Sequence, residues 1–290
     1  MTDQPTGSAS TGFDAAVEAM MRANQSNWDA RTPIHAASAF YGLDGSRSPF
    51  DWFAAFEWAD LGDLAGRDVL HLQCHLGTET LAFAHQGART WGLDLSGRSV
   101  EEARRIAQRA GLTVTYVQAN VYDAVQAVRG QRFDVVYTGK GALCYLPDLP
   151  RWASVVSDLL RPGGLLYVVE FHPLFSSLGP KPPRGAGPEL LLRNDYLEGR
   201  GALERGGAHT YTDGPALQDA PVAYEWAHGL GEVVTAVAGA GLRITALRES
   251  ELLPWPRWER MERTDTGWWR LPEADPRIPL LYGLRASKPE

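Results

Sequence analysis

The sequence has few cysteines. Only Cys74 and Cys144 occur in 290 residues, which excludes a disulfide framework and suits a reducing, cytoplasmic setting. No apolar run approaches the roughly 18 residues that a membrane span requires, so no membrane partner is expected. The opening stretch MTDQPTGSASTG has no apolar signal core, and residues 1–12 read as a disordered tail. Basic residues are not in excess. With 28 Lys and Arg against 35 Asp and Glu, the net charge is −7, and nucleic acid is not an expected partner. Also absent are a GxGxxG dinucleotide fingerprint, an acidic DDxxD-type cluster for a bridged diphosphate, a Ser-His-Asp constellation and any internal repeat.

The middle of the chain shows a regular alternation. Short apolar strands are expected at Asp68–Gln73, Arg89–Asp94, Thr113–Gln118, Phe133–Thr138 and Leu165–Glu170. Helices of about ten residues lie between them, at Thr78–Gln86, at Ser99–Ala110 after a Ser96 or Ser99 cap, and at Leu149–Leu160, closed by RPGG. This predicts a parallel sheet with helices on both faces, an α/β doubly wound domain. A helix at Gly229–Ala240 and strands at Leu242–Glu249 and Leu280–Ser287 fit an antiparallel hairpin closing the sheet. Residues 254–276 read as a Trp- and Pro-rich loop. Before the alternation, residues 13–65 form an expected helical cap, broken by Pro33 and Pro49. A second helix there is predicted over Asp51–Asp60. Within the main domain at 66–290, residues 175–225 interrupt the rhythm with Pro and Gly clusters and read as an insertion or lid.

The segment VLHLQCHLGTET, residues 69–80, stands where a cofactor loop would open such a domain. Asp94 ends the second strand, where a carboxylate can accept both hydroxyls of a ribose. A nicotinamide dinucleotide would use the same position, but the missing GxGxxG argues against it.

From about 66 to 172 the chain resembles class I S-adenosylmethionine-dependent methyltransferases. The cofactor loop, the acidic end of strand two, FDVVYT as strand four and LLRPGGLLYVVE into strand five follow that family's order. GLRITAL and PLLYGLRAS are similar to its strands six and seven. More narrowly, HLQCHxG, EFHP and YEWxHxLGE resemble a broad bacterial group, with a looser similarity to geranyl-diphosphate C-methyltransferases. The resemblance implies a seven-stranded, mostly parallel Rossmann-like sheet and S-adenosylmethionine as cofactor. Where the family reads D-x-G-x-G-x-G, this chain has His71, Gln73, His75 and Gly77, so only the last glycine remains. The polar loop suits a zwitterionic ligand, and Gln73 is expected to turn away or bond the cofactor carboxylate. By the same resemblance, Asn120 and Val121 would meet the adenine, and Thr138 would line the site where sulfonium and acceptor meet. Asn120 also reads as an ordinary turn residue.

Lys140 either points outward or contacts an acidic substrate. Glu170, at the carboxyl end of strand five, reads as a base with its pKa raised by burial, or as a structural carboxylate. His172 and His228 are acid–base candidates, against the commoner reading of satisfied structural histidines. His71 and His75 lie on a strand and loop rather than one helix face, so they are not a metal pair. Tyr41, Tyr145 and Trp226, with Phe40, Trp52, Trp58, Trp255, Trp258, Trp268 and Trp269, are placed over the crevice or in the core.

The expected activity is transfer of a methyl group to a small-molecule acceptor of secondary metabolism. Glu170 or His172 would take a proton. The bolder version is C-methylation of a prenyl diphosphate: loop tryptophans shelter a carbocation, Glu170 is the base, and Arg184, Arg193, Arg200 or Arg205 holds the diphosphate, with Mg²⁺ only in that case. The alternatives are O- or N-methylation, or a non-catalytic S-adenosylmethionine-binding protein.

Overall fold

The fold is taken from a computed structural model describing residues 12–182, 185, 187 and 189–290. The chain begins with α1 (Ala15–Ala37), capped by the Asp14 side chain. Pro33 does not break it as expected. It lies close to the helix's C-terminal end at Ala37, so only one turn follows the missing N–H, and the neighbouring Thr32 Oγ1 donates back to Trp28 O at 2.9 Å. A short 3-10 turn over Pro49–Trp52 precedes α2 (Ala55–Leu61), so the predicted second helix starts four residues late.

The Rossmann-like core follows as β1 (Asp68–Leu72), α3 (Thr78–His85), β2 (Arg89–Asp94), α4 (Gly97–Arg109), β3 (Val114–Gln118), the short α5 (Ala124–Ala127), β4 (Phe133–Thr138), α6 (Leu149–Leu159) and β5 (Leu160–Phe171). RPGG does not merely stop α6. It opens β5, which enters the sheet with a register shift against β4. Next come α7 (Pro173–Ser177), β6 (Ala202–Gly206), β7 (Val222–Trp226), α8 (Leu230–Gly239), β8 (Arg243–Ser250), β9 (Glu262–Arg263), β10 (Trp269–Arg270) and β11 (Leu281–Ser287). β6 and β7 pair antiparallel within the stretch expected to be an insertion. β9 and β10 form a small ribbon inside residues 254–276, the stretch expected to be a loop.

The seven-stranded sheet has the order β3-β2-β1-β4-β5-β11-β8. β1 to β5 are parallel, and β11 lies antiparallel between β5 and β8. The central strands are buried on both faces, as their continuous apolar runs require. One face packs α5, α6 and α8 around Trp152, Leu149 and Val156. The other packs α3, α4 and the N-terminal segment around Phe83, Tyr137 and Tyr167. A third cluster holds Trp258, Trp268 and Leu253. Trp258 and Trp268 are therefore core residues, and Trp58 packs on Phe53. The strand order reverses between β1 and β4. In open α/β sheets, that reversal leaves a crevice at the carboxyl ends of the strands.

Candidate active site

The loop after β1 supplies one wall of the crevice. Gln73, His75 and Gly77 all have positive φ, at 56°, 46° and 71°. The backbone thus keeps a left-handed path although two of the expected glycines are absent, at about 1–2 kcal/mol for each non-glycine. Gly77 is required for a second reason: a Cβ there would lie 2.3 Å from Tyr116 Oη. Gln73 reaches across the crevice, donating from Nε2 to Ala142 O at 2.9 Å. That contact joins the loops after β1 and β4, and leaves Oε1 buried without a partner. The free atom is an acceptor. It suits the ammonium of a zwitterion rather than the carboxylate expected from the sequence.

Asp94 ends β2 as predicted. Its Oδ2 accepts from His75 N and its Oδ1 from Ser96 N, both at 2.8 Å. Each oxygen keeps a lone pair. Burial pushes this carboxyl up to about 6, although the main-chain N–H groups of Ser96, His75 and Leu95 pull the other way. Thr138 Oγ1, at the end of β4, is also buried and unpartnered among the described residues. Asn120 spends Oδ1 capping the turn at Tyr122 N, and its Nδ2 faces Met21 Sδ. Buried Val121 lies beside it.

α1 lies across this wall, a role the sequence did not reveal. Thr32 Oγ1 meets Ser99 Oγ at 2.8 Å, and Asp29 accepts from Ser96 Oγ at 2.6 Å. His35 Nδ1 lies 2.9 Å from His75 Nε2, while His75 Nδ1 meets Ser99 Oγ. Burial holds both imidazoles below their ordinary value, His35 at about 3. Arg31 stacks on Trp28 at 5.0 Å, and its Nε is buried without a partner. Its charge reaches His75, Tyr145 and Tyr211.

Aromatic rings continue the wall. Trp28 touches His75 and Tyr145, and Tyr41 donates or accepts at 2.5 Å with Tyr211. Phe40 contacts Tyr41, Trp52, Tyr211 and Trp255, and Trp255 meets Phe171. Trp226 is half-buried at the end of β7, opposite Ala202. Trp269 packs beside the third core cluster.

The candidate acid–base groups are held elsewhere. Glu170 accepts from four main-chain N–H groups: Gly141 and Phe171 on Oε1, Ala142 and Leu143 on Oε2. Burial pushes its carboxyl up while those donors oppose the shift. The group anchors the loop after β4, and a base role has no geometric support because both oxygens are filled. His172 caps α7, with Nδ1 accepting from Leu174 N at 3.1 Å. Its Nε2 lies 2.9 Å from Glu249 Oε1 but off the line of a good hydrogen bond. His228 is clamped between Glu232 and Leu146 O at 2.7 and 2.8 Å, so both of its ring nitrogens are engaged. Lys140 neither points outward nor faces open space. It donates to Trp52 O and Glu57 at 3.0 Å and to Glu79 at 3.4 Å. Burial pulls this ammonium down, but the two carboxylates outweigh it and hold it above its ordinary value. Tyr145 Oη faces Glu225 at 3.5 Å.

Arg193 bonds main-chain oxygens, Arg200 pairs with Asp195 and Arg205 with Glu225, so these three do not converge on a diphosphate. Arg184 lies outside the described residues. Among the described residues, no group of three or more His, Cys, Asp and Glu side chains is placed to hold a metal, and no helix is long and apolar enough to cross a membrane.

Set against an adenosyl sulfonium, the donor set fits. Asp94 offers two acceptors for ribose hydroxyls, Gln73 Oε1 an acceptor for an ammonium, and Arg31 a cation for a carboxylate. Arg31, His35 and Glu79 were missed from the sequence. A lone arginine or histidine on a helix and an acid in a helix's first turn carry no distinguishing signal.

Residues 69–164 match the methyltransferase domain family. Over 107 residues the chain is 34% identical to a ubiquinone biosynthesis O-methyltransferase of Actinobacillus pleuropneumoniae serotype 7 (strain AP76), covering 36% of this chain and 45% of that protein. Over 139 residues it is 30% identical to the protein of the same name from Erwinia tasmaniensis, covering 45% of this chain and 55% of that protein. The chain thus spans about half the length of the curated relatives it matches. Among solved structures, an S-adenosylmethionine-dependent methyltransferase from Clostridium acetobutylicum ATCC 824 aligns with TM-score 0.56 at 15% identity, covering 86% of this chain and 95% of the other. The [4+2]-cyclase SpnF aligns with TM-score 0.54 at 14% identity, covering 93% of this chain and 96% of the other. Residues 69–164 thus carry a methyltransferase domain, and the fold is shared with S-adenosylmethionine-dependent methyltransferases of known structure.

Proposed function

We propose that this chain transfers the methyl group of S-adenosylmethionine to a hydroxyl group on a small, ring-bearing acceptor. The observation that carries the reading is the crevice at the strand-order reversal, where Asp94 and the left-handed loop 73–77 face each other. The bound donor would supply an already activated methyl group. The protein's own tasks are then to hold donor and acceptor in line and to exclude water. Asp94 grips the sugar, Gln73 Oε1 and Arg31 take the two ends of the amino acid, and the ring wall from Tyr41 to Trp255 receives the acceptor's apolar body.

The named O-methyltransferase relatives favour oxygen as the acceptor atom. C-methylation of a prenyl diphosphate is the weaker version: its intended base, Glu170, is filled by main-chain donors, and three of its intended arginines are engaged elsewhere. A second reading has one specific support, since the same fold serves a cyclase in SpnF. Incubation with methyl-labelled S-adenosylmethionine and separate panels of phenols, amines and prenyl diphosphates distinguishes these outcomes. Label in a phenol supports the proposal. Label in a prenyl diphosphate restores the carbon version, and donor binding with no label transferred favours a non-transferring role.

A further inference from the structure

Glu79 has one oxygen engaged and one open. It stands in the first turn of α3, and its side chain is 17% exposed. Oε1 accepts from Tyr137 Oη at 3.0 Å and from Lys140 Nζ at 3.4 Å. Among the described residues Oε2 has no hydrogen-bond partner, and it is not one of the fully buried unpartnered atoms. Gly139 lets the carboxylate lie directly against the loop after β4, since a Cβ there would stand 3.1 Å from Oε2. The other carboxylates near this point are spent. Glu57 is fully enclosed, with Oε1 on Ala54 N and Oε2 on Lys140, and Glu170 is filled by four N–H groups.

We propose that Glu79 receives the proton of the methyl acceptor, and that the acceptor is a neutral phenol; this rests on the methyl-transfer reading above. The surroundings select the class. Tyr41 and Tyr211 lie within reach of the Glu79 charge and are joined to Phe40 and Trp52, giving ring faces for an aromatic body. Lys140 stands beside Glu79, and Arg47 lies 3.5 Å over the Trp52 ring. These two cations disfavour an ammonium acceptor and stabilise a hydroxyl oxygen as it gains negative charge. In the step, the phenol oxygen bonds to the methyl carbon as the methyl–sulfur bond breaks, leaving a neutral thioether. The O–H proton passes to Glu79 Oε2. Tyr137 and Lys140 fix the carboxylate through its other oxygen, so the open one stays aimed at the acceptor.

The test compares wild type, Glu79→Gln and Glu79→Asp. Calorimetry first measures S-adenosylmethionine and S-adenosylhomocysteine binding. Tryptophan fluorescence then follows catechol binding to the S-adenosylhomocysteine complex, and label transfer to catechol is followed across pH. The proposal expects donor and catechol affinities in Glu79→Gln within about threefold of wild type, with turnover lower by about 10²–10⁴-fold. The variant's rate should climb roughly tenfold per pH unit as catechol ionises on its own, a climb the wild type lacks. Glu79→Asp, which keeps the charge but withdraws it, should lose part of the turnover and supplies the answer if Glu79→Gln does not fold. Full turnover in either variant overturns the proposal. So does weakened binding of S-adenosylmethionine but not S-adenosylhomocysteine, which would make Glu79 a counter-charge to the sulfonium. A wild type that binds the donor but neither binds nor methylates catechol overturns the acceptor class. A wild type that does not bind the donor removes the methyl-transfer reading itself.

Discussion

Replacing Lys140 with methionine tests the buried charge cluster that ties the N-terminal segment to the loop after β4. Lys140 and Glu57 are almost wholly enclosed, with side chains 6% and 0% exposed. Burial raises the Glu57 carboxyl from 4.5 to about 7, and Lys140 is the largest influence opposing that rise. The folded protein therefore binds more protons than the unfolded chain between those values. Stability declines as pH rises from 4.5 to 7, and the cost is fully present above 7. At 1.36 kcal/mol per pKa unit, that cost is about 3 kcal/mol in the wild type. Without Lys140 the folded value moves higher still, so the decline continues past the wild-type plateau. Removing one partner of a buried pair costs about 3–5 kcal/mol when the other stays charged. Near pH 5, where Glu57 is protonated either way, the loss should shrink to about 1–2 kcal/mol, the scale of an ordinary lost hydrogen bond. Denaturant unfolding followed by tryptophan fluorescence at about pH 5, 7 and 8.5 measures this directly. A loss independent of pH, or no loss at all, would refute the argument that Lys140 holds a buried carboxylate in its charged form.

Other expected outcomes concern the groups around the crevice. Glu170→Gln removes the charge from a group accepting four N–H donors, each such bond being worth about 1.5–3 kcal/mol. Its melting temperature should fall by several degrees, with faster hydrogen exchange at residues 141–143; lost turnover at an unchanged melting temperature would return it to the role of base. His35 sits at about 3 in the folded state, below its ordinary 6.5. The unfolded chain therefore binds more protons in that interval, and stability present above pH 6.5 is lost as pH falls. His35→Asn should flatten that acid limb in a pH series of unfolding curves, and an unaltered slope would show that the burial of His35, with Arg31 nearby, does not govern it.

Much of the framework could be read from the sequence because it depends on local signals. Alternating strands and helices, the Ser96 cap and the acid ending β2 each follow from a short run of residues. Boundaries shifted where tertiary pairing prevailed, as where RPGG joined β5. The site was less legible because its side chains are paired across long sequence distances. Gln73 meets Ala142, His35 meets His75 and Lys140 meets Glu57, and no periodicity encodes such contacts. Glu170 shows the hazard most clearly. Its placement at the end of β5 and its burial were both foreseeable, yet its function depends on where four main-chain N–H groups point.

The central claim is that the strand ends grip an adenosyl donor with Asp94 on its ribose. Isothermal calorimetry of S-adenosylmethionine with wild type and Asp94→Asn measures it most directly. The account predicts a saturable single site in the wild type and about 100-fold weaker binding in the variant, the effect of weakening two hydrogen bonds to a charged group by about 3 kcal/mol in all. Equal affinities, or a wild type that binds no donor, would contradict it.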